Sequence, residues 1–257
     1  MDQTSPGAPT DIRHLTSFVH PLWAWRALGY HWPAMSVENQ QNGPVSTLAE
    51  GAPRTKVSLT PLFTTWVYVC PDGPTHLNPR LEELAHRLMQ EDSNAITRTN
   101  RGGWHYAFDL FNLEEPVVAE FRHQMEQHVQ AFLNHFRSEG DKKKDSFCLK
   151  GWINVNRAGD SNVLHCHPGS FVSATYYVKV PTDMKGGEIV FRDPRGPAVA
   201  MYETPGIELP WVGSGTGIPL SPATGQLLLF PAWLEHRVEL FEGTGERISI
   251  AFNASNP

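Results

Sequence analysis

The chain has 257 residues, 40% of them hydrophobic and 19% charged, with a formal net charge of −6. That composition describes a folded globular protein rather than a disordered or fibrous one. The acidic balance leaves no electrostatic footprint for nucleic acid or an anionic membrane, and no apolar run has the length of a membrane span. The polar start Met1–Thr10 lacks the basic-then-apolar layout of a signal peptide, so a cytoplasmic protein is expected. Three scattered cysteines, Cys70, Cys148 and Cys166, are too few for a disulfide framework.

Three regions follow in chain order: an N-terminal arm over 1–55, a helical support region over 56–146 and a β-rich core over 147–257, the last two making one structural domain. The arm is rich in Pro, Gly, Gln and Asn around an aromatic island of Phe18, Trp23, Trp25, Tyr30 and Trp32. It reads as an arm packed on the main domain, with a substrate lid or a homodimer contact as alternatives. Leu59 to Val69 reads as an apolar strand ending at the turn Cys70-Pro71-Asp72-Gly73. Asn78-Pro79 opens a helix, with Asn78 as cap and Leu81, Leu84, Ala85, Leu88 and Met89 as one apolar stripe. Asn100 to His105 forms a Gly-bearing loop. A second helix spans 115–137, with Val117, Val118, Phe121, Met125, Val129, Phe132 and Phe136 at helical spacing. His86, His123, His128 and His135 on these helices read as solvated, and Asp141 to Asp145 as an exposed connection.

From Phe147 onward the period changes to that of strands. Leu149–Asn156, Val172–Val180, Glu188–Arg192, Gln226–Phe230, Arg237–Phe241 and Glu246–Asn253 are each expected to be extended. Six strands without an intervening helix predict a mainly β fold with α support, a double-stranded β-helix of the jelly-roll or cupin type flanked by helices. Pro205 to Pro222, with its Gly and Ser run, reads as a mobile loop able to close over a site.

The chemistry concentrates in this core. His165 and His167 stand at i and i+2 of an extended segment and so project from one face, and the distant His236 can close a metal site with them. That order of ligands, followed by an arginine, is the one expected of a non-haem iron oxygenase, and a reducing compartment keeps iron ferrous. Cys166 should point away from the metal. If Glu242 to Gly245 formed a hairpin turn, Leu240 would pair with Arg247 and His236 with Ala251, placing His236, Arg247 and Ser249 on one face. Arg247 would then lie about 13 Å along the strand from the partner of His236. A five-carbon dicarboxylate spans that gap, chelating a metal at one end and pairing with Arg247 and Ser249 at the other.

Read together, Trp152 to Asn156, Gly159-Asp160, His165-Cys166-His167-Pro168, Ser173 to Val178, Gly187, Phe191 to Arg195, Leu229 to His236 and Arg247 to Asn253 resemble, in order, a bacterial and phage group within the 2-oxoglutarate and Fe(II)-dependent oxygenase superfamily. The resemblance reaches weakly back to about Leu62. It implies an Fe(II)- and 2-oxoglutarate-dependent dioxygenase that consumes O2, releases succinate and CO2, and oxidises, by hydroxylation, a C–H bond, while the substrate itself is read separately as a small amino-acid-like or natural-product metabolite. Residue by residue, it implies that His165 and His236 are metal ligands and that Arg247 anchors 2-oxoglutarate. Asn154 and whichever of Tyr176 and Tyr177 faces inward would bond the co-substrate or substrate. Trp104, His105 and Trp211 are candidate pocket residues.

One residue departs from the family pattern: His167 stands where a carboxylate is usual. Either it ligates as a third histidine, which its i+2 position favours, or it sits off the metal, or Asp160 or Glu188 completes the set. Two other function classes fit the residues less well. A three-His cupin-type dioxygenase working without 2-oxoglutarate leaves Arg247 and Ser249 without a role, and a non-catalytic metal- or ligand-binding barrel shares the fold alone. Halogenation is a narrower variant that the bulk of His167 disfavours.

Overall fold

The computed structural model describes residues 63–92, 97–196 and 217–257. The aromatic island of the arm, Trp211 and much of the Pro205–Pro222 loop lie outside the described residues. The elements in chain order are β1 (Tyr68–Cys70), α1 (Asn78–Glu91), β2 (Asn100–Arg101), β3 (Trp104–His105), α2 (Pro116–His135), β4 (Cys148–Asn156) and β5 (Ser161–His165). After these come β6 (Val172–Lys179), β7 (Ile189–Arg192), β8 (Gly217–Leu220), β9 (Leu227–Pro231), β10 (His236–Val238) and β11 (Arg247–Ser255). They form two antiparallel sheets, one ordered β1-β9-β6-β11-β4-β3 and the other β2-β5-β10-β7-β8. This is the expected double-stranded β-helix. No helix among the described residues is long and apolar enough to cross a membrane.

Alternation decides which side chains meet. In β11, Ile248, Ile250, Phe252 and Ala254 are fully buried in the cluster that also holds the apolar stripes of both helices. Arg247, Ser249, Ala251 and Asn253, one residue out of phase, must take the opposite face. The same split runs through β6. Tyr176 lies in the helix-facing cluster with its ring 5.3 Å from that of Phe121, while Tyr177 packs with Ile189, Phe191, Leu228, Phe230 and Leu234 between the sheets.

Several expectations are met closely: α1 begins at Asn78, α2 agrees within two residues at each end, and β4, β6, β7, β9 and β11 fall within two residues of their predicted spans. The support region also contributes strands. β1 and β3 close the two ends of the larger sheet and β2 one end of the smaller. Residues 217–220 of the expected loop form β8, an edge strand that tolerates Pro219 because its outer side needs no donor.

The expected β10–β11 hairpin does not form. Both sides of β10 are already taken, His236 pairing with His165 of β5 and with Phe191 of β7, whereas β11 lies between β4 and β6 in the other sheet. Glu242 to Gly245 therefore belongs to a crossing from one sheet to the other. Leu240 does not pair with Arg247, nor His236 with Ala251, and the spacing of about 13 Å along one strand does not apply.

Asn78 is also not a cap. Leu77 precedes the helix and no side chain caps it. The Asn78 amide donates to the Val178 carbonyl at 2.8 Å and accepts from the Tyr176 hydroxyl at 2.6 Å, pinning α1 to β6. Burial pushes the Tyr176 phenol up to about 12, so it remains a donor at any working pH. Removing Asn78 would strand a fully buried hydroxyl. Asn78→Ala should cost about 2 kcal/mol of unfolding free energy, and Tyr176→Phe, which removes the donor itself, about 1 kcal/mol. Denaturant titrations check the order, and an Asn78→Ala midpoint equal to the parent's would contradict it.

Candidate metal and anion site

The three predicted histidines converge. His165 ends β5, His236 begins β10 as its cross-strand partner, and the His167 backbone N–H donates to the Ala232 carbonyl at 2.9 Å, tying its loop to the approach to β10. One ring nitrogen from each lies within 4.8 Å of the others, and His167 Nε2 is 3.4 Å from His236 Nε2. Two ligands ~2.1 Å from one metal at about a right angle are ~3 Å apart, so small ring movements suffice to share an ion. No carboxylate among the described residues joins the group, Asp160 and Glu188 included, and neither does Cys166.

Backbone carbonyls orient two of the rings. His165 Nδ1 lies 2.7 Å from the Val163 carbonyl and His236 Nδ1 lies 2.9 Å from that of Leu234. A carbonyl only accepts, so both Nδ1 atoms carry the proton and both Nε2 atoms keep a free lone pair. Burial holds all three rings neutral. His167 is lowered to about 4 by burial and then by His165, and His236 to about 3 by burial and then by His165. His165 is also lowered by burial, against the pull of the Val163 carbonyl. Phe230, with its ring 4.8 Å from His236, and Phe191, at 6.0 Å, form an apolar wall behind the cluster. Neutral imidazoles, two of them with free Nε2 lone pairs, are the donor set a divalent transition metal takes.

Arg247 is a second functional candidate that is buried. It is 3% exposed and makes no ion pair among the described residues. Its guanidinium donates to the Gly187 carbonyl at 2.6 Å and to Asn156 Oδ1 at 2.8 Å, and its Nε has no partner. Burial lowers its pKa, while Tyr177, Asp160 and Glu188 oppose the shift. Asn156 is fixed in turn by Gly103, whose left-handed backbone (φ +70°) runs so close that a Cβ there would meet Asn156 Nδ2 at 2.8 Å. Ser249 and Tyr177 are buried opposite one another on adjacent strands. Burial raises the Tyr177 phenol, which therefore stays protonated.

Of the remaining candidates, Asn154 faces inward and its Oδ1 is 2.9 Å from His105 Nδ1. Tyr176 is not brought to the site. Trp104 belongs to the helix-facing core, donating to the Asp92 carbonyl at 3.2 Å. Two helix histidines expected to be solvated have partners: His128 meets the Tyr68 hydroxyl at 3.1 Å and His86 meets Glu246 at 2.7 Å. Sequence reasoning missed Trp152, its ring 5.8 Å from that of His167, and also Asn156, Gly187 and Asn253. For Trp152, Asn156 and Asn253 the signal was available in the largely polar or aromatic alternate positions of β4 and β11, strands whose other face is apolar, whereas Gly187 had no such signal.

Residues 150–253 match the family described as "Putative 2OG-Fe(II) oxygenase". In fold the chain is similar to a prolyl-4-hydroxylase of Pseudomonas putida, at 16% identity and a TM-score of 0.53 over 76% of this chain and 94% of that one. It is similar also to HygX of Streptomyces hygroscopicus solved with nickel, 2-oxoglutarate and hygromycin B, at 16% identity and a TM-score of 0.52 over 75% and 84%. No curated protein matches it in sequence. Residues 150–253 of the chain thus match a 2OG-Fe(II) oxygenase domain, and they fold as part of a double-stranded β-helix.

Proposed function

We propose that His165, His167 and His236 hold the iron, that Arg247 with Ser249 and Tyr177 holds the far carboxylate of 2-oxoglutarate, and that the enzyme hydroxylates a C–H bond of a small amino-acid-like or natural-product metabolite. In this reading 147–257 is the catalytic core, 56–146 its support and 1–55 an accessory arm. The observation that carries it is the buried Arg247, a cation whose hydrogen-bond acceptors among the described residues are all neutral. A buried charge without a counter-ion costs several kcal/mol, and a dicarboxylate supplies that counter-ion. A dioxygenase working without 2-oxoglutarate would leave this charge uncompensated. When bound, Fe(II), 2-oxoglutarate and O2 supply the oxidising chemistry, with succinate and CO2 as co-products.

The chain's own residues do the positioning. Asn156 and Gly187 fix the plane of the guanidinium, so that its remaining N–H groups define where a carboxylate docks. Phe191, Phe230 and Leu228 exclude water behind the histidines. Asn154, with His105 and Trp152 beside it, offers an amide and two ring edges for a substrate. A small metabolite suits this set, and HygX, similar in fold, has been solved with hygromycin B.

Loss of a charge-assisted carboxylate pair costs about 3 kcal/mol, so Arg247→Ala should raise the 2-oxoglutarate concentration needed for succinate release by roughly a hundredfold while leaving metal affinity within a few-fold. Arg247→Lys, which keeps the charge without the planar fork, should fall between. An unchanged 2-oxoglutarate requirement in both variants contradicts the anchor. His165→Ala and His236→Ala should each abolish anaerobic Fe(II) binding, His167→Ala should weaken it, and His167→Asp should retain it.

Proton competition supplies a separate check. Ordinary imidazoles would begin to lose a metal as pH falls below about 6.5, because each must shed a proton to bind. With His167 held near 4, His236 near 3 and His165 also below its ordinary value, protons compete with the metal only at lower pH. Zn(II) affinity should therefore begin to fall at a distinctly lower pH than it would for ordinary imidazoles. A steady loss beginning near pH 6.5 would mean that the rings are not desolvated as described.

A further inference from the structure

His165 and His236 have their tautomers set by carbonyls, which cannot donate. His167 has a different partner. Its Nδ1 faces the side-chain amide of Asn253 on β11, with Nδ2 at 3.4 Å, and the other end of that amide, Oδ1, accepts from the Ser173 hydroxyl at 2.8 Å. Ser173 is the cross-strand partner of Asn253 and is 1% exposed, so the hydroxyl cannot turn to solvent instead.

An amide that donates to Nδ1 leaves the His167 proton on Nε2. That proton points at His236 Nε2, 3.4 Å away, whose lone pair is free to accept it. These bonds are mutually consistent, and with the amide so oriented His167 Nε2 is an N–H with no lone pair for a metal. Rotating the Asn253 amide by half a turn reverses each bond. Oδ1 then accepts from Nδ1–H, Nδ2 donates to Ser173 Oγ, which accepts as readily as it donates, and Nε2 is left with its lone pair toward His165 and His236.

We propose that Asn253, backed by Ser173, is a positioning residue that sets the tautomer of His167, holding it unable to ligate while the site is empty and converting it to a ligand when a metal enters. This rests on the three-histidine reading above and extends it to the residue that departs from the family pattern. Where most such sites have a carboxylate always ready to bind, this one has a ring whose readiness depends on an amide on the opposite sheet. The proton moves between the two nitrogens of one ring, and no charge changes.

The experiment uses the full chain, metal-free and loaded with Zn(II), with side-chain ¹⁵N NMR reading the protonated nitrogen of each site histidine and a Zn(II) titration reading affinity. His167 should be the Nε2–H tautomer in the metal-free protein and Nδ1–H with Zn(II), while His165 and His236 are Nδ1–H throughout. Asn253→Asp, whose carboxylate can only accept, should show His167 as Nδ1–H before metal is added and bind Zn(II) at least as tightly as the parent. Asn253→Leu, with neither donor nor acceptor, should bind it 10- to 100-fold more weakly, the usual cost of losing an outer partner of a ligating histidine. Both substitutions replace the same residue, so a defect in folding would weaken both, whereas the proposal has them move apart. Nδ1–H at His167 in the metal-free parent, or equal affinity in the Asp and Leu variants, overturns the proposal. Zn(II) binding unaffected by His236→Ala would instead overturn the three-histidine site on which it rests.

Discussion

A single buried guanidinium organises the interior of this molecule. Arg247 enters at the start of β11, on the face that the alternation of Ile248, Ile250, Phe252 and Ala254 turns away from the helices. Its acceptors are an amide on the neighbouring strand and one loop carbonyl, both neutral. Gly103 runs so close to Asn156 that a Cβ there would meet its amide, and Gly187, whose carbonyl accepts from the guanidinium, takes a left-handed backbone (φ +72°) that side chains rarely adopt. A charge held this way favours an anion that reaches it, which is the basis of the carboxylate role proposed for it.

The histidine cluster is built on the opposite logic. All three ligand candidates are neutral and kept so by burial, with His167 in the place of the usual carboxylate. Exchanging an anionic ligand for a neutral one leaves the site one unit more positive. That weakens its hold on a divalent cation and strengthens its hold on a dianionic co-substrate. The ordering of the imidazoles, by carbonyls at His165 and His236 and by an amide at His167, therefore matters more here than in a site where charge alone would recruit the metal.

Much of this was legible in the sequence. The fold followed from periodicity, because the apolar stripes of α1 and α2 and the alternation in β4, β6 and β11 each have one reading. The convergence of His165 and His167 followed from their spacing. The arrangement of Arg247 relative to His236 was not legible. Glu242 to Gly245 suits a hairpin and a crossing between sheets equally, and only the pairing of β10 with β5 and β7 decides between them. Asn78 was misread for a related reason: its position before Pro79 is that of a cap, but a buried Tyr176 hydroxyl competes for the same amide. The inward roles of Asn156 and Asn253 were visible as alternation. Their partners, a guanidinium and an imidazole on other strands, depended on register that no local pattern specifies.

The most direct measurement of the account is anaerobic calorimetric titration of 2-oxoglutarate into the protein with and without one equivalent of Fe(II). If the histidine cluster and Arg247 hold opposite ends of one co-substrate, binding is one to one and at least tenfold tighter in the presence of the metal. Equal affinity with and without Fe(II), or no binding in either case, would mean that the buried guanidinium and the three imidazoles do not act on the same molecule.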